Sequence, residues 1–218
     1  MARAPQVLVC FALKEEAAPF RRLVADRPNL HVLITGIGRQ NSERRFREAL
    51  APPLPSLVLT CGYAGALNPA RGLGDVVFSA DPASGLKPKL AALGAKEARF
   101  HCADRMIATA TEKAALRQST GADAVEMESE IIRHLCRERG LSSATVRVIS
   151  DTANEDLPLD FNLLTTPDLR LSYAKLAVAI MKSPGVVPAL LKLQKQTRHA
   201  AVKLAEVLMR ALSDFAPD

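Results

Sequence analysis

The chain has 218 residues, 48% hydrophobic and 24% charged, with a formal net charge of +6; that is enough for one well-cored domain and marginal for two. The excess charge is local, because Leu169 to Leu212 carries eight Lys/Arg against the single acid Glu206, leaving the rest close to neutral. This distribution argues against a nucleic-acid-binding core, which would carry a basic face or a recognisable module, and no apolar run approaches membrane-spanning length.

In chain order, Gln6 to Ala12 reads as a buried strand and Leu13 to Asp26 as an amphipathic helix with Pro19 inside it. The apolar start is cut off by Lys14-Glu15-Glu16 and has no small-x-small cleavage site, so it reads as a strand and not as a signal peptide. Leu30 to Thr35 is a second strand, leading through Gly36-Ile37-Gly38 into a charged helix from Arg39 to Leu50. Prolines 52, 53 and 55 separate that helix from a strand over Ser56 to Cys61, and Gly62 to Pro69 is expected to be a tight loop at its end. Gly72-Leu73-Gly74-Asp75 introduces a strand over Val76 to Ser79. Residues 80–100 are small, polar and punctuated by Pro and Gly, and give no clear element.

A helix is expected around Glu112 to Gln118, then a short apolar strand ending in Glu126 and Glu128, a helix over 127–140, and a buried strand ending at Ser150-Asp151. After a loop containing Pro158 and Pro167, helices follow near Leu169–Lys182 and Val186–Leu212. Strands alternating with helices imply βα units around a largely parallel sheet. The expectation is one α/β domain over 1–218, with 169–218 as a basic helical tail.

Cys10, Cys61, Cys102 and Cys136 are far apart, with no CxxC and no His at ligand spacing, so neither a disulfide framework nor a metal site is expected. The four histidines are scattered and read as structural or surface residues. Together these features suggest a cytoplasmic protein.

The chemistry concentrates between Asp123 and Asp156. Open α/β sheets bind ligands beyond the carboxyl ends of their strands, so Glu126, Glu128 and Asp151 could share one crevice. Three acids at a sheet mouth suit a cationic or sugar-like centre. Each has a plainer reading: Glu15, Glu16, Glu126 and Glu128 all fall where a helix dipole favours acids, and Asp151 suits an N-cap or turn. Gly36-Ile37-Gly38 could cradle a phosphate, with Arg39 helping, but it lacks the third glycine of a dinucleotide fingerprint and also fits a tight strand-to-helix turn. Cys61-Gly62-Tyr63-Ala64-Gly65 would let backbone N–H groups approach a ligand closely. Arg147, inside an apolar strand, could pair with an acid or reach an anion.

Six motifs stand in order: Ala12 to Glu16, Thr35 to Gly38, Gly62 to Leu67, Gly74 to Val77, Val125 to Glu128, and Val148 to Asp151. The set resembles the purine nucleoside phosphorylase/nucleosidase superfamily, and most nearly its methylthioadenosine/S-adenosylhomocysteine nucleosidase branch, over roughly residues 6–156. The segments Ala108 to Ala115 and Lys182 to Leu193 look more like the hopanoid-associated phosphorylase branch. The resemblance implies a three-layer α/β/α fold with a central mixed sheet, and cleavage of the N-glycosidic bond of a purine nucleoside, most simply a 5′-substituted adenosine.

By the family pattern, Asp151 would protonate the departing base with help from Ser150. Glu128 would bind the ribose diol with Met127 packed on the sugar, and Glu16 would activate water. Backbone around Ala64 and Gly65 would line the pocket. Tyr63 stands where nucleosidases often have a small serine, and Phe100 or Phe161 would have to supply an aromatic base contact. If phosphate were the nucleophile, Gly38 and Arg39 would be its contacts; a relative that binds a nucleoside without turnover is the third reading. The resemblance further implies a homodimer, with no metal or organic cofactor. In the tail, Lys182, Lys192, Lys195, Arg198 and Lys203 could rest on anionic lipid beside an apolar stripe of Leu191, Leu204 and Leu208, but a packed helix with a solvated basic face is the preferred reading.

Overall fold

The computed structural model describes residues 6–166 and 172–215. The chain runs through β1 (Val7–Phe11), α1 (Lys14–Leu23), β2 (Leu30–Ile34), α2 (Arg39–Ala49), β3 (Leu57–Ala66), β4 (Val76–Ala80), α3 (Leu86–Ala92), β5 (Lys96–Glu97) and β6 (Phe100–Cys102). It continues with α4 (Ala110–Thr120), β7 (Ala124–Glu126), α5 (Ser129–Glu138), β8 (Ser142–Asp151), the single turn α6 (Phe161–Leu164), α7 (Tyr173–Lys182) and α8 (Val187–Ala211).

Alternation along β1 sets the layers, because successive strand side chains point to opposite faces. Val7, Val9 and Phe11 pack with Phe20 of α1, Leu86 and Leu90 of α3, and Leu204 and Leu208 of α8. Cys10 faces the other way, with Phe46 of α2 and Ile131, Ile132 and Leu135 of α5. The result is a three-layer α/β/α fold around a sheet ordered β2-β1-β3-β8-β4-β5, with β7 and β6 added beyond the end of β3. β1, β2, β3 and β8 are mutually parallel, while β4 is antiparallel to β8 and β7 to β3, so the sheet is mixed.

Three features depart from the sequence reading. The expected loop at Gly62 is strand: β3 continues to Ala66 because its far end pairs with β8 on one side and with β7 at Gly65↔Val125. Residues 80–100 are ordered as α3, β5 and β6, which finish one edge of the sheet. The departure in the tail is from the lipid-facing alternative only: Leu204 and Leu208, named there beside Leu191, are buried against α1 and the sheet, as a packed helix requires. Of the helix expected near Leu169–Lys182, Leu169 to Leu171 lie outside the described residues, as does Pro167.

Candidate active site

Because β1, β2, β3 and β8 run parallel, their carboxyl ends meet at one edge of the sheet. Glu16 follows β1, Gly36 to Gly38 follow β2, Ser150 and Asp151 end β8, and Glu126 to Glu128 join β7 to α5. This is where an open α/β sheet leaves room for a ligand.

The centre of the cluster is Arg147, on the mid-part of β8 and only 2% exposed. Its Nη2 donates to Glu126 Oε2 at 2.6 Å and to Glu128 Oε2 at 3.1 Å. Its Nη1 donates to the Tyr63 carbonyl at 3.4 Å, and its buried Nε has no partner among the described residues. Burial opposes the charge, but Glu126, Glu128 and Glu16 together hold the guanidinium protonated more firmly than a free arginine. Glu126 also anchors α5, accepting from the Glu128 and Ser129 amides and from the Ser129 hydroxyl. Glu128 Oε1 accepts from the Gly38 amide at 2.9 Å, which ties the turn after β2 to the cluster. Burial raises the Glu128 carboxyl above the ordinary carboxylate range, against the pull of Arg147.

Glu16 is oriented by backbone. Its Oε2 accepts from Leu13 N at 2.9 Å as part of the α1 cap, and its Oε1 accepts from Tyr63 N at 3.0 Å. Burial pushes its carboxyl up from 4.5 to about 7, against the lowering effect of Arg147 and the two amides and with a further raising effect from Glu128. Gly62 explains how Glu16 and Arg147 converge. A Cβ there would lie 2.8 Å from Glu16 Oε1 and 3.0 Å from Arg147 Nη1, and its φ of +140° disfavours any side chain.

The second group surrounds Asp151. Ser150 Oγ donates to Asp151 Oδ1 at 2.7 Å and to the Ala64 carbonyl at 3.3 Å. Lys113 Nζ lies 2.6 Å from Asp151 Oδ2 and donates at 2.8 Å to the carbonyls of Thr152 and Glu155. The Lys113 side chain is fully buried, so one ammonium fixes both the carboxylate and the loop that follows it. A Cβ on Gly65 would lie 3.0 Å from Asp151 Oδ2, so glycine is needed for this close approach. Gly62 and Gly65 mark the two groups along one strand, about 10 Å apart at the usual rise per residue.

A family model described as the phosphorylase superfamily matches residues 91–182. No curated protein matches the chain. Among solved structures, futalosine hydrolase of Helicobacter pylori superposes with a TM-score of 0.71 at 16% identity, covering 97% of this chain and 98% of that one. The 5′-methylthioadenosine/S-adenosylhomocysteine nucleosidase of the same organism, solved with butyl-thio-DADMe-Immucillin-A, gives 0.71 at 16% identity over 96% and 98%. S-adenosylhomocysteine nucleosidase from Streptococcus pyogenes, in complex with 5-methylthiotubericidin, gives 0.71 at 15% identity over 98% and 99%. The fold is that of the nucleoside phosphorylase/nucleosidase superfamily.

On this superfamily fold, the residues singled out from the sequence fall into distinct places. Glu16 and Glu128 share the Arg147 cluster, while Ser150, Asp151, Ala64 and Gly65 share the second group, and Met127 is buried between β7 and α5. Gly38 joins the first group only through its amide, which is spent on Glu128. Arg39 points away, with its side chain 52% exposed and 3.9 Å from Glu130. Phe100 packs beside Ala64 and Ala153 in the core, and the Tyr63 ring turns to the α8 layer, with its hydroxyl near Thr197. Two surface grooves lie elsewhere, one along α4 past Leu67, Pro69 and Asn154, the other past Arg99, Arg133 and Arg137, and neither is lined by Glu16, Glu128 or Asp151. Among the described residues no group of His, Cys, Asp and Glu could hold a metal ion.

Sequence reasoning left the role of Arg147 open between an acid and an anion, where the structure shows acids, and gave Lys113 none. Arg147 carried a signal, since a lone charge in an apolar strand requires buried partners. Lys113 carried almost none, because Leu116 is the only large apolar side chain of α4 and defines no inward face.

Proposed function

We propose that this protein hydrolyses the N-glycosidic bond of a purine nucleoside, in keeping with its superfamily fold. The observation that carries the reading is that two carboxylates from other elements close on one strand, Glu16 of α1 against Gly62 of β3 and Asp151 of β8 against Gly65, three residues further along. Breaking the bond leaves a ribosyl cation and an anionic base, so one end must supply electrons and the other a proton. Glu16 is held by two backbone amides and has a carboxyl pushed up to about 7, which suits a general base at neutral pH. Arg147 Nε, buried and without a partner among the described residues, offers a donor to the same water. Glu128 keeps unused lone pairs on both oxygens for the ribose hydroxyls, and its negative charge stabilises the developing cation. Asp151, oriented by Ser150 and Lys113, takes up a proton when the nucleoside binds and passes it to the departing base, returning to the carboxylate.

Water is favoured over phosphate on electrostatic grounds. Three carboxylates, Glu16, Glu126 and Glu128, surround one guanidinium, so the cluster has no positive charge to spare for an oxyanion. The neighbouring Gly38 amide is occupied by Glu128, and Arg39 lies outside. The relatives reported above are named for adenosine thioethers and for futalosine, and a 5′-substituted adenosine is the proposed substrate class.

The test is chromatographic: incubation with methylthioadenosine, S-adenosylhomocysteine, adenosine, inosine and futalosine, with and without phosphate. The expected products are free base and free sugar at a rate independent of phosphate. Sugar 1-phosphate as the product would overturn hydrolysis in favour of phosphorolysis.

A further inference from the structure

The last two long helices divide sharply in how they pack. From Ala200 onward α8 belongs to the core, with Ala200, Ala201, Leu204, Ala205, Leu208 and Ala211 buried. Before that point none of the side chains from Ala174 to His199 is buried. This stretch is α7, a turn at Ser183, and the first half of α8, and the two helices meet at 106°. The result is a bent arm of two helices with one side against the domain and the other exposed, none of its side chains fully buried before Ala200.

The arm's surface is unusual for one facing water. Met181 is 72% exposed, Leu191 60% and Val178 44%, and Leu163 of the adjoining α6 is 71% exposed. Val178 and Met181 stand on one face of α7, three residues apart, with Lys175 and Lys182 beside them. On α8, Leu191 is followed by Lys192, Lys195 and Arg198 on the same exposed side. Between residues 169 and 205 there is no Asp or Glu at all. Apolar side chains flanked only by cations form the pattern of a helix that lies in a lipid interface. Among the described residues no single helix is long and apolar enough to cross a membrane, and the two helices reach the required length only as a bent pair.

We propose that the α7–α8 arm is a docking surface for an anionic phospholipid bilayer, with Val178, Met181 and Leu191 entering the headgroup boundary and Lys182, Lys192 and Lys195 contacting lipid phosphates. Charge decides between this occupant and a second copy of the chain. A two-fold contact presents the same patch from both sides, which would set cations against cations with no carboxylate to separate them. A bilayer containing phosphatidylglycerol supplies the missing negative charge together with an apolar layer. The arm also lies beside the candidate active site: Thr197 of α8 stands near the hydroxyl of Tyr63, whose amide holds Glu16.

The experiment is vesicle flotation of the full chain on phosphatidylcholine alone and on phosphatidylcholine mixed with phosphatidylglycerol. Binding is expected only to the anionic vesicles and is expected to weaken as salt is raised. Each cation near such a surface contributes about fivefold in partitioning, so Lys182→Gln with Lys192→Gln should weaken binding about 25-fold. Met181→Ser with Leu191→Ser should also weaken it, while leaving base release and thermal unfolding unchanged. Equal binding to both vesicle types, no binding to either, or an apolar double variant that binds as well as the parent would overturn the proposal. So would a dimer, measured by light scattering, that dissociates in the Met181→Ser/Leu191→Ser protein when no vesicle binding is seen; that result would assign the arm to a copy–copy interface.

Discussion

Replacing Glu16 by Gln should damage catalysis and stabilise the protein above neutral pH. The wild-type carboxyl is raised from 4.5 to about 7, chiefly by burial. The folded state therefore binds a proton that the unfolded chain has released between these two values, and the associated stability is fully present below about 4.5 and lost as pH rises through 7. A change from 4.5 to about 7 corresponds to about 3 kcal/mol. Gln is neutral at every pH and does not carry this loss, although its NH2 cannot accept from one of the two amides that hold Glu16, a cost that is the same at every pH. In chemical denaturation the variant should therefore gain about 3 kcal/mol on the wild type between about pH 4.5 and pH 8. In the base-release assay kcat should fall by about 100-fold or more, the contribution of a positioned general base. Wild-type turnover should rise with pH to a plateau above about 7, where Glu16 is ionised. Parallel stability–pH curves for the two proteins would refute the burial argument. Undiminished turnover in the Gln variant would refute the role as base.

Asp151→Asn should lower kcat by about 100-fold, because the amide cannot deliver a proton to the base, with nucleoside affinity by calorimetry changed far less; unchanged turnover would remove Asp151 as the acid. Lys113→Met leaves Asp151 and the carbonyls of Thr152 and Glu155 without their buried cation, and unfolding free energy should drop by about 3 kcal/mol, the lower end for a broken buried pair, since Asp151 retains some exposure. Gly62→Ala places a methyl against Glu16 Oε1 and Arg147 Nη1 at a φ that side chains avoid. It should cost about 1–3 kcal/mol in denaturant titration and depress kcat more than KM, because the two groups on the proposed water are pushed apart.

Much of this architecture was legible in the residues. The unbroken apolar run Val7 to Phe11 marks a strand buried on both faces, and the 3.6-residue periodicity around Ile131, Ile132 and Leu135 marks a helix with one face to the core. Glu16, Glu128 and Asp151 could be singled out because each sits where a strand gives way to the next segment. What could not be read were facts set by distant partners. Gly62 to Ala66 has turn-like composition but is strand, because β7 and β8, both far along the chain, supply its ladder bonds. Lys113 lies on a polar-looking helix, and only the return of the chain through Thr152 to Glu155 shows what its ammonium holds.

The sequence alone determined most of the elements outside residues 80–100 and the acids at the strand ends, since these are carried by local apolar patterning and by where charges interrupt it. The tertiary structure alone decided the rest. It showed that Arg147 gathers Glu126 and Glu128, that Glu16 is desolvated enough to titrate near neutrality, and that α8 is core from Ala200 onward but exposed before it. Burial and pairing depend on segments far apart in the chain, and a linear pattern does not record which surfaces they cover.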